Sequence, residues 1–96
     1  MPVSEAKNTI FERDLQAIER CDILLLVMDG RVIDEGACFE LGYAFSRGKV
    51  CIGLKTDVRS LLTIGDNPMI ECALWRTFGD MDEIFEWIRN RRWERH

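Results

Sequence analysis

Ninety-six residues with a formal net charge of −4 make one small domain, residues 1–96, with room for only a modest core. A hydrophobic share of 47% excludes a disordered chain, and the acidic balance argues against a nucleic-acid backbone as partner. No apolar run suits a signal peptide or a membrane span, since DILLLVMDG stops too soon for either.

Ser4 can cap a first helix running from about residue 5 to Arg20. Steps of 100° per residue put Ile10, Phe11, Ala17, Ile18 and Cys21 on one face, with Leu15 at its margin. Asp14 falls near the middle of that face, where a carboxylate is costly unless it is paired or sits at the lip of a cavity. Ile23 to Met28 is a continuous apolar run, the pattern of a strand buried on both faces of a parallel sheet. Asp29-Gly30 is a turn signal at its carboxyl end.

Asp34 to Arg47 reads as a second helix, closed by Gly48 where a left-handed cap is usual. Lys49 to Leu54 is a second strand. Thr56 to Pro68 is a long connection with a short helical turn at Ser60 to Leu62. Ile70 to Phe78 is ambiguous, with a short strand near Trp75 to Phe78. Asp80 or Asp82 can cap a final helix with the apolar stripe Ile84, Phe85, Trp87 and Ile88. The basic tail RNRRWERH reads as a solvated helix end rather than a binding patch.

Helices alternating with strands imply an α/β fold: a flavodoxin-like, doubly wound parallel sheet with helices on both faces. The strand that usually precedes the first helix of such a fold has no counterpart in this sequence.

The four cysteines, at 21, 38, 51 and 72, show no C-x-x-C spacing, and three lie in apolar runs. They read as buried free thiols in a reducing cytoplasm. A zinc site is disfavoured because the single histidine is the terminal His96. Acid–base chemistry therefore falls to carboxylates, thiols, Tyr43 or lysines, and the acids are plentiful.

In doubly wound sheets, ligands bind outside the carboxyl ends of the strands. Asp29, Gly30 and Asp34 follow the first strand, and Asp57 follows the second. On the second helix Ala37, Cys38, Leu41, Ala44 and Phe45 form the core stripe, and Glu40 lies about 100° off its centre. Gly36, four residues earlier, is on the same side and leaves room beside the carboxylate. An accessible acid near a helix start is what a carboxylate nucleophile needs. The blander reading makes Glu40 a solvated charge or an ion-pair partner of Arg47 or Arg13. In that reading Asp34 is an N-cap and nothing more, and Asp14 is satisfied by an arginine.

The run DEGACFELGYA at 34–44, followed by GKV at 48–50 and TDVR at 56–59, resembles the nucleoside 2-deoxyribosyltransferases. That family's pattern has an Asp, a Gly two residues on, a Glu six residues on, and then G-Y-A. Upstream, FERDLQAIERCDI looks like the family's helix and strand, with its acid on Asp14. Downstream, DNPM resembles the segment that a neighbouring subunit inserts into the active site. The likeness covers most of residues 9 to 72. One departure is the absence of the family's opening strand and its Y-L-A-G/S-P loop.

The resemblance implies that Glu40 is the nucleophile attacking the anomeric carbon of a 2-deoxyribonucleoside. Asp34 and Asp14 match the acids that position the base and handle its proton. Gly36 would line the sugar pocket. Asn67 and Met69 would reach the 5′ end of a sugar bound in another subunit, in a homo-oligomer with shared active sites. The substrates would be a 2-deoxyribonucleoside and a free nucleobase, and no cofactor is called for. Hydrolysis by a nucleoside or deoxynucleotide N-glycosidase is an alternative, as is a non-catalytic nucleotide-binding or interaction domain.

Overall fold

The computed structural model describes residues 3–29, 33–56 and 67–90. In chain order they form α1 (Val3–Arg20), β1 (Ile23–Val27), α2 (Glu35–Ser46), β2 (Val50–Leu54), α3 (Pro68–Glu71), β3 (Arg76–Phe78) and α4 (Met81–Arg89). The strands make one parallel sheet in the order β1-β2-β3. Ile23 pairs with Val50, Val27 with Leu54, and Ile52 with Arg76.

The core has two parts, one on each face of the sheet. Ile18, Leu26, Met28, Leu41, Ala44 and Cys51 join α1 and α2 to one face. Ile52, Leu54, Phe78, Ile84 and Trp87 join α4 to the other. Strand alternation sorts them, since Cys51 and Ile52 point to opposite faces. Burying each large apolar side chain contributes about 1.5–3 kcal/mol. The architecture is thus α/β with helices on both faces, as the alternating pattern implied.

The helix ends obey local chemistry. Asp34 caps α2, its side chain accepting from the Ala37 amide at 3.0 Å. Gly48 adopts φ +76 just past α2, a conformation that a Cβ disfavours. Asp80, and not Asp82, caps α4 by accepting from the Glu83 amide at 2.8 Å.

Four expectations need correction. α1 begins at Val3, so Ser4 lies inside the helix and is not its cap. Ile18 is the buried residue of α1, whereas Ile10 and Phe11 are 61% and 50% exposed. The reason is that α1 lies along α2 and meets the sheet only near its carboxyl end, so Phe11 packs on Phe39 (ring centroids 6.1 Å apart) instead of entering the core. Phe45 on α2, and Phe85 and Ile88 on α4, also stand exposed at the edges of their stripes. Finally, Pro68–Glu71 is a helical turn capped by Asn67, where a connection and then an ambiguous stretch were expected.

All four cysteines are free; Cys51 is buried, whereas Cys72 is exposed. No described helix is long and apolar enough to cross a membrane. Gly30, Asp57, the turn expected at 60–62 and the tail 91–96 lie outside the described residues.

Candidate active site

A groove of about 520 Å³ runs along the free edge of β1 and under the start of α2. Leu24, Leu25, Leu26 and Val27 line its length, and Asp29, Asp34, Ala37 and Glu40 line its carboxyl end. The topology explains the clustering. β1 delivers Asp29, the loop after it delivers Asp34, and one and a half turns of α2 carry Glu40 back over the strand.

Glu40 is half-buried. Among the described residues it has no hydrogen-bond or ion-pair partner. The arginine that could have taken it, Arg47, is held elsewhere: its Nε lies 2.8 Å from Glu19 Oε1 and its Nη2 donates to Glu19 Oε2 at 3.2 Å. Tyr43 donates its hydroxyl to the same Glu19 carboxylate, and Lys49 Nζ donates to the Glu19 carbonyl at 2.9 Å. This cluster ties the carboxyl ends of α1 and α2 together and leaves the Glu40 carboxylate facing the groove.

Asp34 does two things at once. One carboxylate oxygen caps α2, and the side chain also lines the groove. Gly36 serves Asp34 rather than Glu40. A Cβ at position 36 would lie 3.1 Å from Asp34 Oδ2, so the expected room beside Glu40 is in fact room for the capping carboxylate. Gly36 does not line the groove.

Asp29 is the residue whose part the sequence left unassigned. Its two carboxylate oxygens accept from the Thr56 amide and the Thr56 hydroxyl, each at 2.6 Å. It thereby fastens the exit of β1 to the exit of β2 and fixes one wall of the groove. The available signal was its place at the carboxyl end of an apolar strand, shared with Asp34.

Asp14 is exposed on α1 and does not line the groove. The helical wheel placed it on an apolar face, but that face is not buried at Asp14 because α1 runs along α2. Asn67 and Met69 also lie away from the groove. Asn67 Oδ1 accepts from the Met69 amide at 2.9 Å, and the Met69 side chain is 83% exposed. Among the described residues no group of three or more His, Cys, Asp or Glu side chains could hold a metal ion.

What the groove offers is a carboxylate without a partner among the described residues, beside a capping carboxylate and over an apolar floor. That arrangement suits an electron-poor carbon carried on an uncharged ring. The sequence model of one family, described as nucleoside 2-deoxyribosyltransferase, matches residues 2–89 of the chain. No curated protein matches it.

Proposed function

Given that the chain belongs to the nucleoside 2-deoxyribosyltransferase family, we propose that it transfers a 2-deoxyribosyl group between nucleobases through a covalent intermediate on Glu40. The observation that carries this reading is the half-buried Glu40 carboxylate, free of any cation among the described residues, in one groove with Asp34.

In the first step a Glu40 oxygen bonds to the anomeric carbon while the bond from that carbon to the base nitrogen breaks. The bonding pair leaves with the base, which takes up a proton. The state between is oxocarbenium-like, and an adjacent carboxylate stabilises its charge, as in retaining glycoside hydrolysis. In the second step a nitrogen of the incoming base attacks the same carbon, the ester bond to Glu40 breaks, and the carboxylate is restored. The incoming base gives up a proton, so the cycle is balanced.

Asp34 is assigned to the base, positioning it and handling its proton. Its fixed place as N-cap supports that role, because a capped carboxylate keeps its position through the cycle. Asp14 enters the proposal on the resemblance alone, as a second acid toward the base. Gly36 is assigned to the sugar pocket indirectly, through the place it leaves for Asp34. Asn67 and Met69 are assigned to the 5′ end of a sugar in a neighbouring subunit. The outward Met69 side chain supports that assignment. The free thiols fit a reducing cytoplasm as the place of action.

Hydrolysis is the second reading, favoured by the accessible edge of β1, which lets water reach the groove. One experiment separates the two. The protein is incubated with deoxyinosine, with and without adenine, and the products are resolved chromatographically. Transfer gives deoxyadenosine only when adenine is present; hydrolysis gives hypoxanthine and free deoxyribose in both mixtures. No turnover in either would defeat the enzymatic reading for this substrate pair.

A further inference from the structure

Glu40 sits on a seam of α2. At 3.6 residues per turn, Ala37, Leu41 and Ala44 fall about 40–100° to one side of it, and Phe39, Tyr43 and Arg47 about 20–100° to the other. The first set packs toward the sheet, in the cluster that holds Ile18, Leu26 and Met28. The second set turns to α1. Phe39 meets Phe11, with ring centroids 6.1 Å apart, and Tyr43 and Arg47 meet Glu19. The direction of the Glu40 side chain therefore follows the roll of α2 about its own axis between these two supports.

The supports differ in kind. Burial of Leu41 and Ala44 stabilises the helix on the sheet but is non-directional. The side toward α1 is held by hydrogen bonds, which weaken steeply when bent. Both Glu19 carboxylate oxygens are engaged there. Oε1 accepts from the Tyr43 hydroxyl and lies 2.8 Å from Arg47 Nε, and Oε2 accepts from Arg47 Nη2 at 3.2 Å. The chain leaving α2 is tied to the same residue, since Lys49 Nζ donates to the Glu19 carbonyl at 2.9 Å while the Lys49 amide donates to the Ala44 carbonyl at 3.0 Å. Tyr43 is the member of this cluster one helical turn from Glu40, so it acts on the roll where the roll matters.

We infer that Tyr43 and Glu19 are positioning residues for Glu40, their hydrogen bond fixing the roll of α2 and so the aim of the Glu40 carboxylate. Neither lines the groove, so neither touches a ligand there. The kinetic consequence rests on the reading of Glu40 as the nucleophile; the aim of its carboxylate does not. A nucleophile must approach its carbon in line, and a misplacement of about 1 Å costs on the order of 10²-fold in rate.

The test uses the full chain and three variants. Tyr43→Phe removes the hydroxyl and keeps the ring, Glu19→Ala removes the acceptor, and Glu19→Gln keeps an acceptor for the phenol. The carboxyl-carbon signal of Glu40 is followed by nuclear magnetic resonance in isotope-labelled protein and identified by its loss in Glu40→Gln. It should move in Tyr43→Phe and in Glu19→Ala and return toward its wild-type place in Glu19→Gln, while the signal of Glu86 on α4 stays still in all three. Tyr43→Phe decides the matter where Glu19→Ala fails to fold. With deoxyinosine and adenine, Tyr43→Phe and Glu19→Ala should lower kcat by about 10- to 100-fold with KM changed by less than roughly twofold, and Glu19→Gln should regain most of the loss. A Glu40 signal unmoved by Tyr43→Phe would overturn the proposal, whatever the activity. So would an active protein in which Tyr43→Phe leaves kcat unchanged or raises KM alone. Failure of the nucleophile reading looks different: Glu40→Gln keeps turnover, or the wild type has none, while Tyr43→Phe still displaces the Glu40 signal.

Discussion

Arg47 gives its guanidinium to Glu19, with Nε 2.8 Å from Oε1, and among the described residues Glu40 is left without a cation. Glu40 lies seven residues before Arg47, beyond the spacing at which side chains meet on a helix, whereas Glu19 comes to Arg47 from α1, where Tyr43 and Lys49 also converge. The ion pair and the vacant carboxylate are thus two results of one arrangement. In the proposed function this is what keeps the Glu40 carboxylate open to a ligand.

Glu40→Gln is therefore expected to stop base exchange without harming the fold. The substitution keeps the side chain's volume and breaks no hydrogen bond or ion pair with another described residue, so the unfolding midpoint should stay within experimental error. Turnover should fall by roughly 10³-fold or more, as when a nucleophile is removed. Mass spectrometry of the denatured wild-type protein, quenched during turnover, should show the added deoxyribosyl group, and the variant should not. Wild-type turnover in the variant would take Glu40 out of the mechanism.

Asp34 offers a way to divide a structural role from a chemical one. Asn is as good an N-cap as Asp, whereas Ala is not. Asp34→Ala should lose about 1 kcal/mol of stability by urea unfolding. Asp34→Asn should keep that stability and still lose activity, because it retains the acceptor for the Ala37 amide but not the acid. If Asp34→Asn retained full turnover, the residue would be a cap and nothing more.

The cluster around Glu19 predicts a dependence of stability on pH. The Tyr43 hydroxyl, then the Arg47 guanidinium, hold the Glu19 carboxyl below the usual carboxylate range. The hydrogen bond to Glu19 in turn raises the Tyr43 phenol. A depressed acid contributes stability that is present above its unfolded pKa and is lost as pH falls through the folded value. A raised phenol contributes stability that is present below its unfolded pKa and is lost as pH climbs through the folded value. The difference in melting temperature between wild type and Tyr43→Phe should therefore be widest near neutrality and close toward both extremes. The partners are partly exposed, so the gap should be small and should shrink in high salt. A gap constant across pH would assign Tyr43 a packing role only.

The legible parts of this molecule were those that depend on local chemistry. Ile23–Val27 announced a strand by its unbroken apolar run, Asp34 and Gly48 bracketed α2, and Asp80 marked the start of α4. The acids at the carboxyl end of the sheet could be gathered by topology before any side chain was placed. Burial of α1 was misread because a helical wheel reports which residues share a face and not what lies beneath it. Phe11 and Asp14 share that face, yet only Ile18 reaches the sheet. The choice of Glu19 over Glu40 by Arg47 was equally hidden. It depends on Tyr43 and Lys49 meeting Glu19 across two helices and a strand, a contact with no periodic signature.

Gly53, next to the last residue of β2, gives the last test, and it joins packing to the groove. A Cβ there would lie 2.5 Å from Met28 Sδ, 3.0 Å from Leu74 Cδ1 and 3.3 Å from Thr77 Oγ1. Met28 is buried and cannot swing into solvent, so the thioether must be displaced within the core. Overpacking of this kind costs about 1–3 kcal/mol, and Gly53→Ala should show that loss by urea unfolding. Met28→Ala alone should also destabilise, by roughly 2–5 kcal/mol for a buried methionine. In the double variant the new methyl occupies part of the space the methionine vacates. Its loss should therefore be smaller than the two single losses added, by about 0.5–3 kcal/mol. Met28 is followed directly by Asp29, whose carboxylate holds Thr56 at the end of β2. Any shift of Met28 is passed to that clasp, so Gly53→Ala should also lower base exchange, with the double variant regaining part of it. Strict additivity would mean that the strand relaxes around the methyl without moving Met28, and the link between the core and the wall of the groove would fail.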